Sequence, residues 1–308
     1  MDIGLIGLGR MGFNLARNLR DHGHRVVVYN RSPEKVRQAE AEGFEGTYRP
    51  GELVGRLQPP RHVWLMLPAG RPVDDVIDAL VPHLRAGDVV IDGGNSHWQD
   101  TLRRAEHLKA YGLRLVDVGT SGGIEGARHG ACTMIGADED LFARLEPVFR
   151  DISVPGGYLR TGPVGSGHFV KMVHNGIEYG MLQAIGEGFE ILSRAPFPLD
   201  LRAVAAVYAR GSVIRGWLME LTERALARDP KLERIAGVVH HSGEGRWTAE
   251  TALALGVPAP VITTSVFMRY RSEQAESFGA KVIAALRGEF GGHPVEPAAA
   301  QGPAVARP

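Results

Sequence analysis

Apolar residues fall in short runs through the first half of the chain and at four-residue intervals through the second. The runs Ile3–Ile6, Arg25–Tyr29, His62–Leu67, Val89–Ile91 and Leu113–Val118, followed by Cys132–Ile135, predict strands. Amphipathic stretches at Gly12–Arg20, Pro33–Glu42, Pro72–His83 and Asp100–Tyr111 lie between them and predict helices. Strands spaced by helices of that length imply a parallel sheet with crossover helices. Pro147, Pro155 and Gly156-Gly157 punctuate its end. Beyond it, Phe169, Val173, Ile177, Met181, Ile185 and Phe189 recur every four residues, which predicts one long helix with these residues on its apolar side. Helical patterning continues over 199–210, 212–228, 246–255 and 259–287. The expected fold is an α/β domain with a parallel-sheet core over 1–162, then an all-helical domain over 163–293. A Pro/Ala-rich tail over 294–308 is expected to be mobile.

Composition narrows the function. The 308 residues suit two domains. Thirty-five basic and 35 acidic side chains balance to zero, which argues against a general polyanion binder and so against nucleic acid. A single cysteine, Cys132, rules out an internal disulfide framework. No run reaches a membrane span, and the opening MDIGLIGLG lacks a basic leader, so the chain is expected to be cytoplasmic. Forty glycines point to tight turns and close approach of backbone to ligand.

The first strand runs into Gly7-Leu8-Gly9-Arg10-Met11-Gly12, a G-x-G-x-x-G that opens a helix. Gly7 allows the turn, Gly9 lets backbone approach a pyrophosphate, and Gly12 lets helix and strand pack closely. The unpaired N–H groups of the helix start favour the phosphates. This context predicts a Rossmann-type dinucleotide site in the first domain, the alternative being a plain glycine turn. The second strand ends in Asn30-Arg31-Ser32 instead of an acid that would grip the ribose of NAD. The Arg31 fork suits a 2′-phosphate and favours NADP, while a solvated Arg31 leaves NAD open.

Two further glycine loops follow strands and so lie at the same sheet edge. In Asp92-Gly93-Gly94-Asn95-Ser96, Asn95 is placed to hold nicotinamide or substrate; alternatively it shapes the turn. Thr120-Ser121-Gly122-Gly123 offers a hydroxyl and a run of N–H groups for a carboxylate or hydroxyl; alternatively it is a glycine-rich turn. On the long helix Lys171, His174, Asn175 and Glu178 share one side, as a catalytic ridge or as ordinary surface pairs. A neutral lysine there would take an alcohol proton, which requires its pKa to fall from about 10.4 toward about 8, and Glu178 would be the matching acid. Arg215, in an apolar run with no acid at helical spacing before Glu220, suggests an external anion or a distant acid. Arg287 and His293, six apart with glycines between, would converge on one ligand or else cap the last helix. No metal-ligand cluster is evident, and His107, His240 and His241 read as surface residues.

The segments GLGRMG, DGGNSHWQDTLRR, TSGGIEGARHG, GSGHFVKMVHNGIEYGMLQ, RGSVIRGW and FGGH, spread from Gly7 to His293, resemble the decarboxylating 6-phosphogluconate dehydrogenases, in their short bacterial form. The lysine is shared with the wider beta-hydroxyacid dehydrogenases, whereas HNGIEYG is specific to this family. The resemblance implies oxidation of 6-phospho-D-gluconate by NADP or NAD, loss of CO2 without a metal, and formation of D-ribulose 5-phosphate. It implies Lys171 as general base and Glu178 as general acid. Asn95, Ser121, Gly122, Gly123, His174 and Asn175 would hold the sugar acid, and Tyr179 and Arg215 its phosphate. Arg287 and His293 resemble residues that a partner subunit inserts, in a homodimer or homotetramer. The chain departs from the longer members in having one copy of their duplicated helical region. It also carries Ser242-Gly243-Glu244-Gly245-Arg246 where they have a lysine and a threonine before Trp-Thr, and Glu244 would repel a phosphate facing it. Short members often prefer NAD, which opposes the inference from Arg31. The rival readings are a beta-hydroxyacid dehydrogenase acting on a small unphosphorylated acid without CO2 release, and a non-catalytic dinucleotide sensor.

Overall fold

A computed structural model describes residues 1–291 and 294–297. Six strands run parallel: β1 (Asp2–Ile6), β2 (Arg25–Tyr29), β3 (Glu45–Thr47), β4 (His62–Leu65), β5 (Val89–Asp92) and β6 (Arg114–Ser121). Helices α1 (Arg10–Asp21), α2 (Pro33–Ala41), α3 (Pro50–Gly55), α4 (Arg71–Leu80) and α5 (Trp98–Lys109) connect them. After α6 (Gly123–His129), β7 (Ala131–Gly136) returns antiparallel to β6. Then α7 (Glu139–Ile152) leads to β8 (Ser153–Gly162), parallel to β7. The sheet order is β3-β2-β1-β4-β5-β6-β7-β8, which reverses between β1 and β4. Such a reversal opens a crevice at the carboxyl ends of the strands.

Strand residues alternate between two apolar layers because both faces of a parallel sheet are covered. Val26, Val28, Val89, Ile91, Val116 and Val118 face the layer shared with α1 and α7. Val27, Val63, Val90 and Leu115 face the layer under α3, α4 and α5. The remaining helices are α8 (Ser166–Ser193), α9 (Leu201–Tyr208), α10 (Trp217–Arg228), α11 (Glu244–Ala254), α12 (Pro260–Ser272) and α13 (Phe278–Gly291). At 28 residues α8 is about 42 Å long. It crosses β6 and β7 and carries α11 and α12 on its other side.

Several expectations change. The stretch 259–287 is two helices, α12 and α13, and 212–228 is helical only from Trp217. Pro147 lies inside α7 and ends nothing. The predicted apolar side of α8 is only partly its buried side: Ile185 and Phe189 pack against α9 and α10. Ile177 and Met181 are half exposed, while Lys171 and Asn175 are buried. Periodicity locates a stripe but not which stripe the sheet will cover. His293, and the tail from 298 onward, lie outside the described residues. Among the described residues no helix is long and apolar enough to cross a membrane.

Candidate active site

The first loop does what its glycines suggest. Gly7 has φ +103°, a left-handed conformation, and a Cβ there would run into the Met66 carbonyl. A Cβ on Gly12 would overlap the Gly7 carbonyl, so the first turn of α1 is pressed against β1. Gly9 is exposed and has nothing near its would-be Cβ, the open approach a pyrophosphate needs. Gly9 caps α1, leaving the N–H groups of Arg10, Met11 and Gly12 without helical partners. The loop thus fits a dinucleotide. Leu8 N–H donates to Asn30 Oδ1 at 2.9 Å, so Asn30 shapes the glycine loop, and its Nδ2 donates to the Ser32 carbonyl at 3.3 Å. Arg31 is exposed, with no hydrogen bond or ion pair among the described residues.

Asn95 is exposed on the loop after β5. Two buried groups brace that loop: Asp92 Oδ1 accepts from Gly94 N–H at 3.2 Å, and Asp92 Oδ2 accepts from Ser96 Oγ at 2.6 Å. Arg104, itself buried, adds a bond to Ser96 Oγ at 3.1 Å. The loop continues into His97, whose ring meets Trp247 of α11 edge-on at 5.1 Å, and Trp98, which meets Phe169 of α8 at 5.5 Å. These contacts hold Asn95 beside the helical half.

The helix ridge is built around Lys171, only 6% exposed. Its Nζ donates to Asn175 Oδ1 at 2.5 Å and lies 3.3 Å from His174 Nδ1. The other ring nitrogen of His174 lies 3.0 Å from Ser121 Oγ. Lysine, histidine and serine therefore form one chain from α8 to the end of β6. Burial pushes the Lys171 pKa down; Glu178 and Glu244, both acidic, oppose that shift. The close approach depends on Gly119, where a Cβ would overlap the Lys171 side chain. Gly122 (φ +113°) and Gly123 (φ +60°) start α6 beside Ser121 in the left-handed region. Glu178 is partly exposed, two turns along the helix from Lys171.

Tyr179 is buried, and its phenol oxygen accepts from Ser242 N–H at 3.3 Å. Arg269 stacks on its ring at 3.4 Å. The Gly245 backbone lies so close to that ring that no side chain would fit. Arg215 is not embedded as its apolar neighbours suggest: Val213 and Ile214 are exposed, and Arg215 is too. The run is a surface segment, so burial supplies no argument for an anion there. Arg287 is exposed on α13.

Sequence reasoning passed over three groups, Arg269, Asp117 and His168, and took a fourth, Glu244, only as a charge that would repel phosphate. Arg269 gives no local signal, since its partner ring is 90 positions away. Glu244 is 5% exposed with Oε2 unpartnered, and its position in a first helical turn under a Gly-rich cap was the available hint. Asp117 and His168 are wholly buried near the start of α8. A lone acid within the apolar run of β6 was their signal, because a buried charge needs partners.

Similarity to known proteins identifies the family. The NAD binding domain model of 6-phosphogluconate dehydrogenase matches residues 2–161, and the 6-phosphogluconate dehydrogenase C-terminal domain model matches residues 167–299. A Bacillus subtilis protein, YqeC, named as a candidate 6-phosphogluconate dehydrogenase, is 52% identical over 96% of this chain and 99% of its own length. The NAD(+)-dependent, decarboxylating 6-phosphogluconate dehydrogenase of Haloferax volcanii is 43% identical over 96% of this chain and 98% of its own. The Plasmodium falciparum 6-phosphogluconate dehydrogenase, solved apo, with NADP+ and with 6-phosphogluconate, superposes with a TM-score of 0.81 at 31% identity. It covers 94% of this chain, which spans 65% of that longer one.

Proposed function

The chain belongs to the 6-phosphogluconate dehydrogenase family, and we propose that it converts 6-phospho-D-gluconate to D-ribulose 5-phosphate and CO2 with reduction of NAD or NADP. Residues 1–162 serve as the dinucleotide-binding unit and 163–293 as the substrate and oligomerisation unit. The observation that carries the reading is the buried Lys171, held by Asn175 and His174 with its pKa lowered by burial.

Gly7, Leu8, Gly9, Arg10, Met11 and Gly12, with Asn30, Arg31 and Ser32 at the ribose end, hold the cofactor, which when bound accepts the hydride from C3. Neutral Lys171 takes the C3 hydroxyl proton as that bond is oxidised. The product is a ketone β to a carboxylate, so the C–CO2 bond breaks with its electron pair moving onto the ketone oxygen. The Lys171 ammonium returns its proton to that oxygen. Glu178 then protonates the enediol carbon while Lys171 takes the proton back from the hydroxyl, which restores the ketone, and D-ribulose 5-phosphate is released. Asn95, Ser121, Gly122, Gly123, His174 and Asn175 orient the sugar acid. Tyr179 and Arg215 take the phosphate, and Arg287 and His293 enter the substrate site from a partner subunit.

The apolar exposure of the helical half supports a homodimer or homotetramer. Ile177, Met181, Phe267, Phe278, Ile283 and Leu286 are all at least half exposed, more than an isolated chain leaves uncovered. A second copy covering them would bring Arg287 and His293 into the neighbouring site. We place the enzyme in the cytoplasm.

The test is turnover. Purified protein with 6-phosphogluconate and either nucleotide should raise nicotinamide absorbance and release CO2 in equal amounts. No turnover with either nucleotide refutes the proposal, and oxidation without CO2 points to the unphosphorylated-acid alternative.

A further inference from the structure

We propose that Asp117, His168 and Thr101 form a positioning joint that fixes the Lys171 helix against the Asn95 loop. The proposal rests on the assignment of Lys171 as base. Asp92 and Asp117 are register partners on β5 and β6, and both are fully buried. Each braces a different active-site segment. Asp92 holds the Asn95 loop through Gly94 and Ser96. Asp117 holds the start of α8: Oδ1 accepts from Gly165 N–H at 2.6 Å and Oδ2 from His168 N–H at 2.7 Å. Those are helix-start donors with no helical partner, so an acid 48 positions away caps the helix that carries Lys171.

His168 joins the two halves. Its ring is buried, and Nδ1 lies 2.7 Å from Thr101 Oγ1 on α5, four residues after His97. Thr101 Oγ1 in turn reaches the His97 carbonyl at 3.3 Å. With the proton on Nδ1, His168 donates to Thr101 and Thr101 donates to His97, which satisfies both hydroxyl roles. The Asp117 carboxylate lies 4.0 Å from the same ring nitrogen. Burial pushes the Asp117 pKa up, while the two backbone N–H donors and His168 pull it down. There is no slack around the joint. A Cβ on Gly167 would come within 2.7 Å of the Asp117 carbonyl oxygen and Gly136 N. Helix and loop are thus locked to one another through groups that water does not reach.

None of these three residues is placed against substrate, so their effect must pass through Lys171. Thr101→Val keeps the shape and removes the hydroxyl, and Thr101→Ser restores it. The readouts are kcat, the dinucleotide KM, the pH profile of kcat/KM for 6-phosphogluconate, and Tm. The expected result for Thr101→Val is a kcat lowered at least about tenfold, a displaced lysine limb of the pH profile and an unchanged dinucleotide KM, with Thr101→Ser close to wild type. Asp117→Asn, which can no longer accept from both N–H groups, should move the same limb if it folds. A Thr101→Val enzyme with a lower Tm but wild-type kcat and pH profile overturns the joint. So does a Thr101→Ser enzyme as impaired as Thr101→Val. Lys171→Met separates the two levels: if it retains turnover, the base assignment falls and the joint with it; if it is dead while Thr101→Val is unaffected, only the joint falls.

Discussion

Gly119→Ala is the smallest change that should disable the site without touching a polar group. The new Cβ would lie 2.9 Å from Lys171 Cγ and 3.0 Å from the Gly167 carbonyl oxygen, and closer still to Lys171 Cβ. Apolar carbons settle at about 3.5–4.0 Å. The helix must therefore retreat from β6 by on the order of 1 Å. Overpacking of this kind costs about 1–3 kcal/mol, at roughly 2–4 °C of Tm per kcal/mol in a large domain. The catalytic loss should be larger. A misplacement of about 1 Å costs on the order of 100-fold in rate, equivalent to about 2.7 kcal/mol of barrier. Initial rates at saturating 6-phosphogluconate give kcat, and dye-monitored melting gives Tm. Dinucleotide affinity, read by fluorescence, should not move, because the Gly7 loop is on another strand. A variant with reduced Tm but kcat within about twofold of wild type would show that the placement of Lys171 tolerates this shift, and the argument for a tight approach would fail.

Other outcomes follow from the same geometry. Lys171→Met should abolish oxidation yet keep nucleotide binding, read by turnover and titration. It should also melt higher than wild type at neutral pH. The folded lysine has a lowered pKa, so the unfolded chain binds its proton more readily; the penalty is full below the folded pKa and fades as pH rises toward the ordinary lysine value. The Tm advantage should shrink in alkaline buffer. In wild type, kcat/KM should rise with pH through the lowered Lys171 pKa and level off below the ordinary lysine range. Arg31→Ala should lower kcat/KM for NADP and leave NAD unchanged; an equal loss with both would remove Arg31 from cofactor choice. If Arg287 acts across the interface, mixing inactive Lys171→Met and Arg287→Ala subunits should restore activity in the hybrid, and no recovery would place Arg287 in its own subunit.

Much of this site could be read in advance because its elements are local. The Gly7 loop, the Asn95 loop and the Lys171 ridge each sit within a few residues of a run or a period that predicts the element carrying them. What escaped was set by distant parts of the chain. β3 is three residues with a glycine at its centre, and β8 contains Pro155, Gly156 and Gly157 with mostly half-exposed positions, so neither shows an apolar run. α6 begins with Gly123 and reads as a turn. Part of the stripe of α8 that looked like core, at Ile177 and Met181, is open, because the sheet covers the side of the helix that carries Lys171 and Asn175. Arg215 misled for the opposite reason: its apolar neighbours were surface. Asp117 and His168 each look like an isolated polar residue until β6, α5 and α8 are brought together.

The hydrogen bond from Leu8 N–H to Asn30 has a consequence for redesign. The end of the second strand is where a Rossmann-type fold distinguishes NAD from NADP. Here it is also a strut of the Gly7 loop, so if that loop holds the pyrophosphate as proposed, replacing Asn30 would loosen the grip on both coenzymes at once. A coenzyme switch must be engineered at Arg31 and Ser32, whose side chains that loop does not use.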